Sequence, residues 1–85
     1  MHNLILYTSD ECFRCNTVKK MLNTKNVAYE EITDKQLMVE KDLYSVPAIE
    51  YDGKIIDDYT SVLSWLKRNG YYSLDFLGGD EYEGN

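Results

Sequence analysis

Two cysteines, Cys12 and Cys15, are the residues of this chain whose type and spacing most directly indicate chemistry. They are the only cysteines among the 85 residues, and two residues separate them. A helix brings positions i and i+3 to within about 5–6 Å of each other, which lies inside the range of Cα–Cα distances that a disulfide accepts. The pair can therefore open and close a disulfide bond with little backbone motion, as a redox centre does.

The same spacing is also found in zinc sites and in structural disulfides. A structural zinc site takes four ligands, and the other soft ligand of the chain is His2, on the far side of the first predicted strand. A structural disulfide needs an oxidising compartment, whereas the N-terminal segment 1–7 lacks the basic residues and the longer apolar run of an export signal. These comparisons favour a catalytic pair in a cytoplasmic protein without a bound metal.

Length and charge limit the size of the fold and the kinds of partner that this chain can bind. The 85 residues suffice for one domain with a modest core. Fifteen acidic and nine basic side chains give a net charge of −6, which opposes binding to nucleic acid or to an anionic membrane, and no apolar stretch approaches the length of about 18 residues that a membrane span needs. We expect a monomer with a domain at 1–70 and an acidic, partly flexible C-terminal extension at 71–85.

Apolar periodicity indicates the elements that position the cysteines. Residues 4–7 form a continuous apolar run that is typical of a buried strand, and the apolar residues from Cys12 to Leu22 recur with a helical period. Cys12 therefore lies at a helix N-terminus, where free N–H groups and the helix dipole favour a thiolate. We assign Cys12 as the nucleophile and Cys15, one turn further and more buried, as the resolving thiol.

The rest of the chain predicts an α/β fold with a four-stranded mixed sheet and flanking helices. A helix connects the first two strands, which should therefore be parallel. The dipeptide Asp52-Gly53 between two apolar segments is a hairpin signal, so the last two strands should be antiparallel. The order is β-α-β-α-β-β-α, and the elements after the first helix are expected at 27–32, 35–44, 46–51, 54–56 and from about 58–60 to 69.

Three residues define the expected helices more closely. Asp34 can cap the second helix, and Gly70 can stop the third. Trp65 should lie at the edge of the third helix's apolar face, which consists of Tyr59, Val62, Leu63 and Leu66.

These elements and the residues at their junctions resemble the glutaredoxin branch of the thioredoxin superfamily over about residues 3–69. The resemblance implies a minimal thioredoxin fold, thiol–disulfide oxidoreductase activity, and a cis Val46–Pro47 bond packed beside the cysteines; X–Pro is nearly the only place where a cis bond is cheap. Small members of this kind often reduce ribonucleotide reductase, and compact acidic ones occur in bacterial viruses. The segments that carry the resemblance are Tyr7-Thr8, Cys12-Phe13-Arg14-Cys15, Ser45-Val46-Pro47, Tyr51-Asp52-Gly53-Lys54 and Tyr59-Thr60.

Several side chains around the cysteines are candidates for contacts with the substrate. Arg14 can stabilise the Cys12 thiolate, meet a substrate carboxylate, or simply be solvated, and Tyr7 can equally serve in packing. Asp58, Thr60 and Ser61 are candidates for capping the last helix first and for binding a ligand second. The full set of candidates is Tyr7, Arg14, Val46, Pro47, Thr60 and Ser61.

The chain departs from the family pattern at the start of the last helix. Members that use glutathione usually carry a Gly-Gly pair there and an acidic residue just after the threonine, whereas these positions hold Asp57, Asp58 and Ser61. Two added carboxylates should oppose an anionic tripeptide. Glutathione is therefore one candidate reductant, a flavoprotein reductase is the other, and no tightly bound cofactor is expected.

A second class of function uses the same fold without redox turnover. Such a protein is a partner-binding module or an adaptor that carries an iron–sulfur cluster on the N-terminal cysteine together with glutathione. Retention of both cysteines favours the oxidoreductase, whose partner is a disulfide-containing protein.

Overall fold

Seven elements form one α/β domain in the computed structural model, which describes residues 3–74. They follow the predicted order, and the strands form one mixed sheet. The predicted fold class is therefore confirmed. The elements are β1 (Leu4–Tyr7), α1 (Phe13–Thr24), β2 (Glu30–Ile32), α2 (Lys35–Glu40), β3 (Ala48–Tyr51), β4 (Lys54–Ile56) and α3 (Tyr59–Arg68).

The sheet has the strand order β2-β1-β3-β4, so β1 is a central strand. As predicted, β1 is parallel to β2, and β3 and β4 form an antiparallel hairpin. The turn residues Asp52 and Gly53 both have positive φ, 56° and 79°, as tight two-residue hairpins require. At the carboxyl end of β1, Tyr7 lies beside Ile32 on one side and Ala48 on the other.

The two faces of the sheet bury separate apolar clusters, because side chains along a strand alternate between faces. Leu4 and Leu6 pack with α1 and α3, whereas Ile5 and Tyr7 pack on the face that α2 covers. The first cluster consists of Leu4, Leu6, Val18, Met21, Leu22, Ile49, Val62, Trp65 and Leu66, and the second of Tyr7, Met38, Leu43 and Ala48.

Trp65 is buried more deeply than its predicted place at the edge of the last helix's apolar face suggests, because it belongs to the core and is 8% exposed. Two aromatic rings contact its indole. The ring centroids of Tyr51 and Tyr71 lie 5.4 and 5.7 Å from that of Trp65. Tyr71 lies beyond the end of the helix. The apolar pattern of the helix therefore does not include this ring, which helps to cover Trp65.

The second strand begins later than predicted, at Glu30 instead of Val27. Asn26 has a φ of 58°, and the N–H of Val27 donates to the carbonyl of Leu22 at 2.9 Å. This bond satisfies a carbonyl of the last turn of α1, as in the common helix-ending motif with a left-handed residue. The backbone of Val27 therefore caps α1 and is not available to the sheet.

The second helix ends earlier than predicted for the same reason. Asp34 caps its start as expected, accepting from the N–H groups of Gln36 and Leu37 at 2.9 and 3.2 Å. Asp42 then adopts a φ of 60°, and Leu43 donates its N–H to the carbonyl of Met38 at 2.8 Å. The helix therefore stops at Glu40, not at 44.

The predicted stop at Gly70 is confirmed, and it is the third helix end of this type. Gly70 has a φ of 75°, and Tyr71 donates its N–H to the carbonyl of Leu66 at 2.8 Å. In the predicted extension, Tyr71 and Tyr72 pack against the first cluster and Ser73 is buried. The domain boundary at 70 stays a prediction, and residues 75–85 lie outside the described part of the chain.

Among the helices of residues 3–74, none has the length and apolar character needed to cross a membrane.

Candidate active site

The two cysteines lie at the start of α1, joined as a disulfide with a Cα–Cα distance of 5.2 Å. The helix begins one residue later than predicted, and Cys12 is its N-cap, with extended backbone at φ −107° and ψ 106°. The N–H of Cys15 donates to Sγ of Cys12 at 3.1 Å. A sulfur thus occupies the position in which a serine or aspartate oxygen usually caps a helix, and the predicted placement of Cys12 at a helix N-terminus is confirmed.

The cysteines differ in accessibility. Cys15 is fully buried, whereas Cys12 is half-buried. Between them, Phe13 exposes 83% of its surface. A large partner can therefore contact Cys12 but not Cys15. This difference agrees with the assignment of Cys12 as nucleophile and Cys15 as resolving thiol, although the two roles themselves stay predictions.

Arg14 contacts an aromatic ring at the start of α3. Its Cζ lies 4.9 Å from the ring centroid of Tyr59, within the range of a cation–π interaction. Tyr59 itself is half-buried and packs against the first apolar cluster. Sequence reasoning identified an aromatic residue at this position but had no signal that it meets Arg14, because the two lie on different helices 45 positions apart.

Tyr7 is fully buried on the face that α2 covers. Its hydroxyl donates to Oε1 of Glu50 at 2.5 Å, and Lys41 Nζ lies 3.5 Å from the same oxygen. Burial, the hydrogen bond to Glu50 and the charges of Glu50 and Glu30 raise the pKa of Tyr7 far above its usual range. In this conformation Tyr7 supports the strand that leads to Cys12, and its predicted contact with substrate stays a prediction.

Replacing Tyr7 by Phe should lower the free energy of unfolding by about 1–3 kcal/mol near neutral pH, because a carboxylate loses a hydrogen bond. The raised pKa of Tyr7 means that its hydroxyl stabilises the folded state fully below about pH 10 and less at higher pH. The difference between wild type and Tyr7→Phe should therefore shrink by up to about 1.4 kcal/mol per pH unit above pH 10. Urea unfolding of the oxidised protein, whose cysteines do not titrate, measures this difference.

A matched control is Tyr44→Phe, because Tyr44 exposes 75% of its surface. This variant should differ little from wild type at any pH. A Tyr7→Phe difference that stays constant from about pH 8 to pH 11 would contradict the prediction.

The loop that contains Pro47 adjoins the loop that contains the cysteines. The Val46–Pro47 bond is cis, as predicted, and Pro47 is buried. Ala48 pairs with Tyr7, so the loop enters the sheet at the end of β1. Val46 also lines an open groove of about 280 Å³ with Ser9, which lies just before the cysteines. The strand begins at Ala48 instead of Val46, since Pro47 has no N–H to donate to the ladder.

The start of α3 carries the remaining predicted site residues. Asp58 is the N-cap, and its Oδ2 accepts from the N–H and the hydroxyl of Ser61 at 3.1 and 3.2 Å. Thr60, Ser61 and Asp57 are exposed. Ser61 and both aspartates line an open groove of about 520 Å³. Ser61 is therefore part of the cap, and contacts of Thr60 and Ser61 with a ligand stay predictions.

A second charged network, which sequence reasoning missed, joins β1, β2 and α1. Glu31 Oε2 accepts from the Thr8 hydroxyl at 2.7 Å and from Lys19 Nζ at 3.1 Å. Two hydrogen bonds lower the pKa of Glu31: the bond from Thr8 has the larger effect and the bond from Lys19 the smaller. Parallel pairing of β1 with β2 brings these groups together. Their contacts therefore cannot be predicted from the sequence pattern of one strand or helix alone.

No group of three or more histidine, cysteine, aspartate or glutamate residues within 3–74 is arranged to hold a metal ion.

Two solved structures are similar to this chain over most of its length. The thioredoxin-like protein BC3987 is 32% identical over 75% of this chain and 99% of its own, with a TM-score of 0.61. A mutant of BC3987 is 30% identical over 75% of this chain and 97% of its own, with a TM-score of 0.61. No protein-family model matches the chain, and no curated protein sequence matches it either.

Proposed function

The chain belongs to the thioredoxin superfamily, and from this membership we propose that it is a thiol–disulfide oxidoreductase that reduces disulfides of other proteins through Cys12 and Cys15. The observation that carries the proposal is the disulfide itself, formed across one helical turn with one cysteine partly exposed and the other buried. A structural disulfide has no need for a partly exposed cysteine at a helix N-terminus. That position is where a thiolate is stabilised for attack.

The proposed reaction moves two electrons. The thiolate of Cys12 attacks one sulfur of the substrate disulfide, forms a mixed disulfide and releases the other substrate sulfur as a thiolate. The thiolate of Cys15 then attacks Sγ of Cys12, which releases the second substrate sulfur. The substrate gains two electrons and, after protonation, two protons, and the protein is left with the Cys12–Cys15 disulfide.

The reductant that closes the cycle is, in our proposal, a flavoprotein reductase. The support comes from the start of α3, where the resemblance places the glutathione site. Asp57 and Asp58 both line the groove there, and their charges oppose an anionic tripeptide. Ribonucleotide reductase, which small relatives often serve, is one substrate to test.

The test supplies oxidised protein and a disulfide substrate such as insulin with NADPH, in two parallel arms. One arm contains glutathione with glutathione reductase, and the other contains a thioredoxin reductase. We expect NADPH loss that depends on the protein and is faster in the second arm. If neither arm works and protein reduced beforehand with dithiothreitol also leaves insulin intact, the proposed function is wrong.

The adaptor function gains no support from the site. An adaptor of this kind holds its cluster with glutathione as well as the N-terminal cysteine, and Asp57 and Asp58 oppose glutathione at the start of α3.

A further inference from the structure

The side chain of Arg14, between the two cysteines, is held in a defined position. The guanidinium of Arg14 lies over the Tyr59 ring, with Cζ 4.9 Å from the ring centroid. Tyr59 is anchored because it packs against the core cluster at the start of α3. An arginine that rests on an anchored ring has fewer orientations available than a solvated one, so Arg14 is partly preorganised beside the nucleophile.

Contact with one ring leaves N–H donors of the guanidinium available. Arginine carries five such donors at the edge of a planar group, and a single ring cannot occupy all of them. Among residues 3–74, no acidic side chain forms an ion pair with Arg14. Arg14 is exposed, so its donor edge can meet a group that arrives from solution.

From this geometry we infer that Arg14, positioned by Tyr59, recognises a carboxylate next to the reactive cysteine of the protein substrate. The inference rests on the proposed function. Any substrate whose sulfur is attacked by Cys12 brings its neighbouring residues to the Cys12–Cys15 segment, where Arg14 is exposed. A carboxylate accepts two parallel bonds from a guanidinium edge, which makes it the side chain that best fits this donor set.

The overall charge of the protein limits how acidic such a partner can be. A net charge of −6 repels a strongly acidic protein. A single Asp or Glu near the substrate cysteine avoids most of this repulsion, because charges further than about 8–10 Å apart are largely screened at physiological salt. Arg14 therefore selects for one local carboxylate and not for an acidic surface.

The test compares two disulfide peptides that differ only in having Glu or Gln two residues from the cysteine. Wild type should reduce the Glu peptide with a kcat/KM about two- to fivefold higher, the range expected for an exposed ion pair. Arg14→Gln should remove this preference, so that its kcat/KM values for the Glu and Gln peptides become equal; the comparison is made within the variant, so an effect of Arg14 on the Cys12 thiolate cancels. The wild-type preference should also decline as salt is raised.

Tyr59 variants separate positioning from packing. Tyr59→Phe keeps an aromatic face and should keep the preference for the Glu peptide, whereas Tyr59→Leu should reduce it, with rates compared at equal folded fraction. Equal rates for the two peptides in wild type, or a preference that survives Arg14→Gln, would overturn the inference. If wild type reduces neither peptide, the proposed function fails instead, so the two failures are distinguishable.

Discussion

A Cys15→Ser variant should accumulate a mixed disulfide with its substrate on Cys12, and a Cys12→Ser variant should reduce substrate no faster than the uncatalysed reaction. The reason is order of attack. Cys12 is the N-cap of α1 and is half-buried, whereas Cys15 is fully buried. Without Cys15, attack by Cys12 still occurs but no second thiol completes the exchange.

Mass spectrometry of each variant after incubation with a disulfide peptide locates the adduct. Because the serine hydroxyl of Cys15→Ser would be buried in an apolar site, a Cys15→Ala variant repeats the trapping experiment without that hydroxyl. An adduct on Cys15 in the Cys12→Ser protein, formed at a comparable rate, would reverse the assigned roles.

Removing the acidic pair at the start of α3 should raise glutathione-dependent turnover by about ten- to a hundredfold, because two carboxylates near a bound anion at a protein surface cost on the order of 1–3 kcal/mol in affinity. Asp58 also caps α3 through Ser61, so replacing it by Gly would confuse charge with helix stability. The double variant Asp57→Asn/Asp58→Asn removes both charges and retains a good N-cap residue.

The single variants show how much each aspartate contributes to the change in glutathione-dependent turnover. Asp57 is exposed whereas helix N–H groups offset part of the charge of Asp58, so Asp57→Asn should contribute more. Asp42→Asn is a matched control at the end of α2, because asparagine tolerates the φ of 60° there. The gain should be larger at low salt. Unchanged glutathione turnover in the double variant would remove the main support for a flavoprotein reductase.

Much of the fold could be predicted because the signals are local. The Asp52-Gly53 turn, the Asp34 cap and the Gly70 stop each depend on a few adjacent residues, and each is confirmed. The errors at Val27 and after Glu40 have one cause. Asn26 and Asp42 adopt the left-handed conformation that ends a helix, and this conformation is common for glycine but hard to foresee for other residues.

The site could be predicted only in part. Its two cysteines lie in one short segment, whereas the residues that contact the neighbouring side chains lie far away in the sequence. The spacing of Cys12 and Cys15 predicts which atoms react. The partners of Arg14 and Tyr7, which are Tyr59 and Glu50, lie 45 and 43 positions away. These contacts depend on how α1 faces α3 and how β1 pairs with β3, and no periodicity within a single element specifies them.

The hydrogen bond that caps α1 also connects the fold to its redox state. The N–H of Cys15 bonds a disulfide sulfur in the oxidised protein. If reduction leaves Cys12 as a thiolate, the same bond becomes charge-assisted and therefore stronger. The start of the helix is therefore held more firmly after reduction than before it. Stabilising the reduced form raises the reduction potential and makes a redoxin more oxidising. A single N–H group thus links the stability of the helix to the reduction potential of the protein. A substitution that frays the first turn of α1 should therefore also make the protein a stronger reductant.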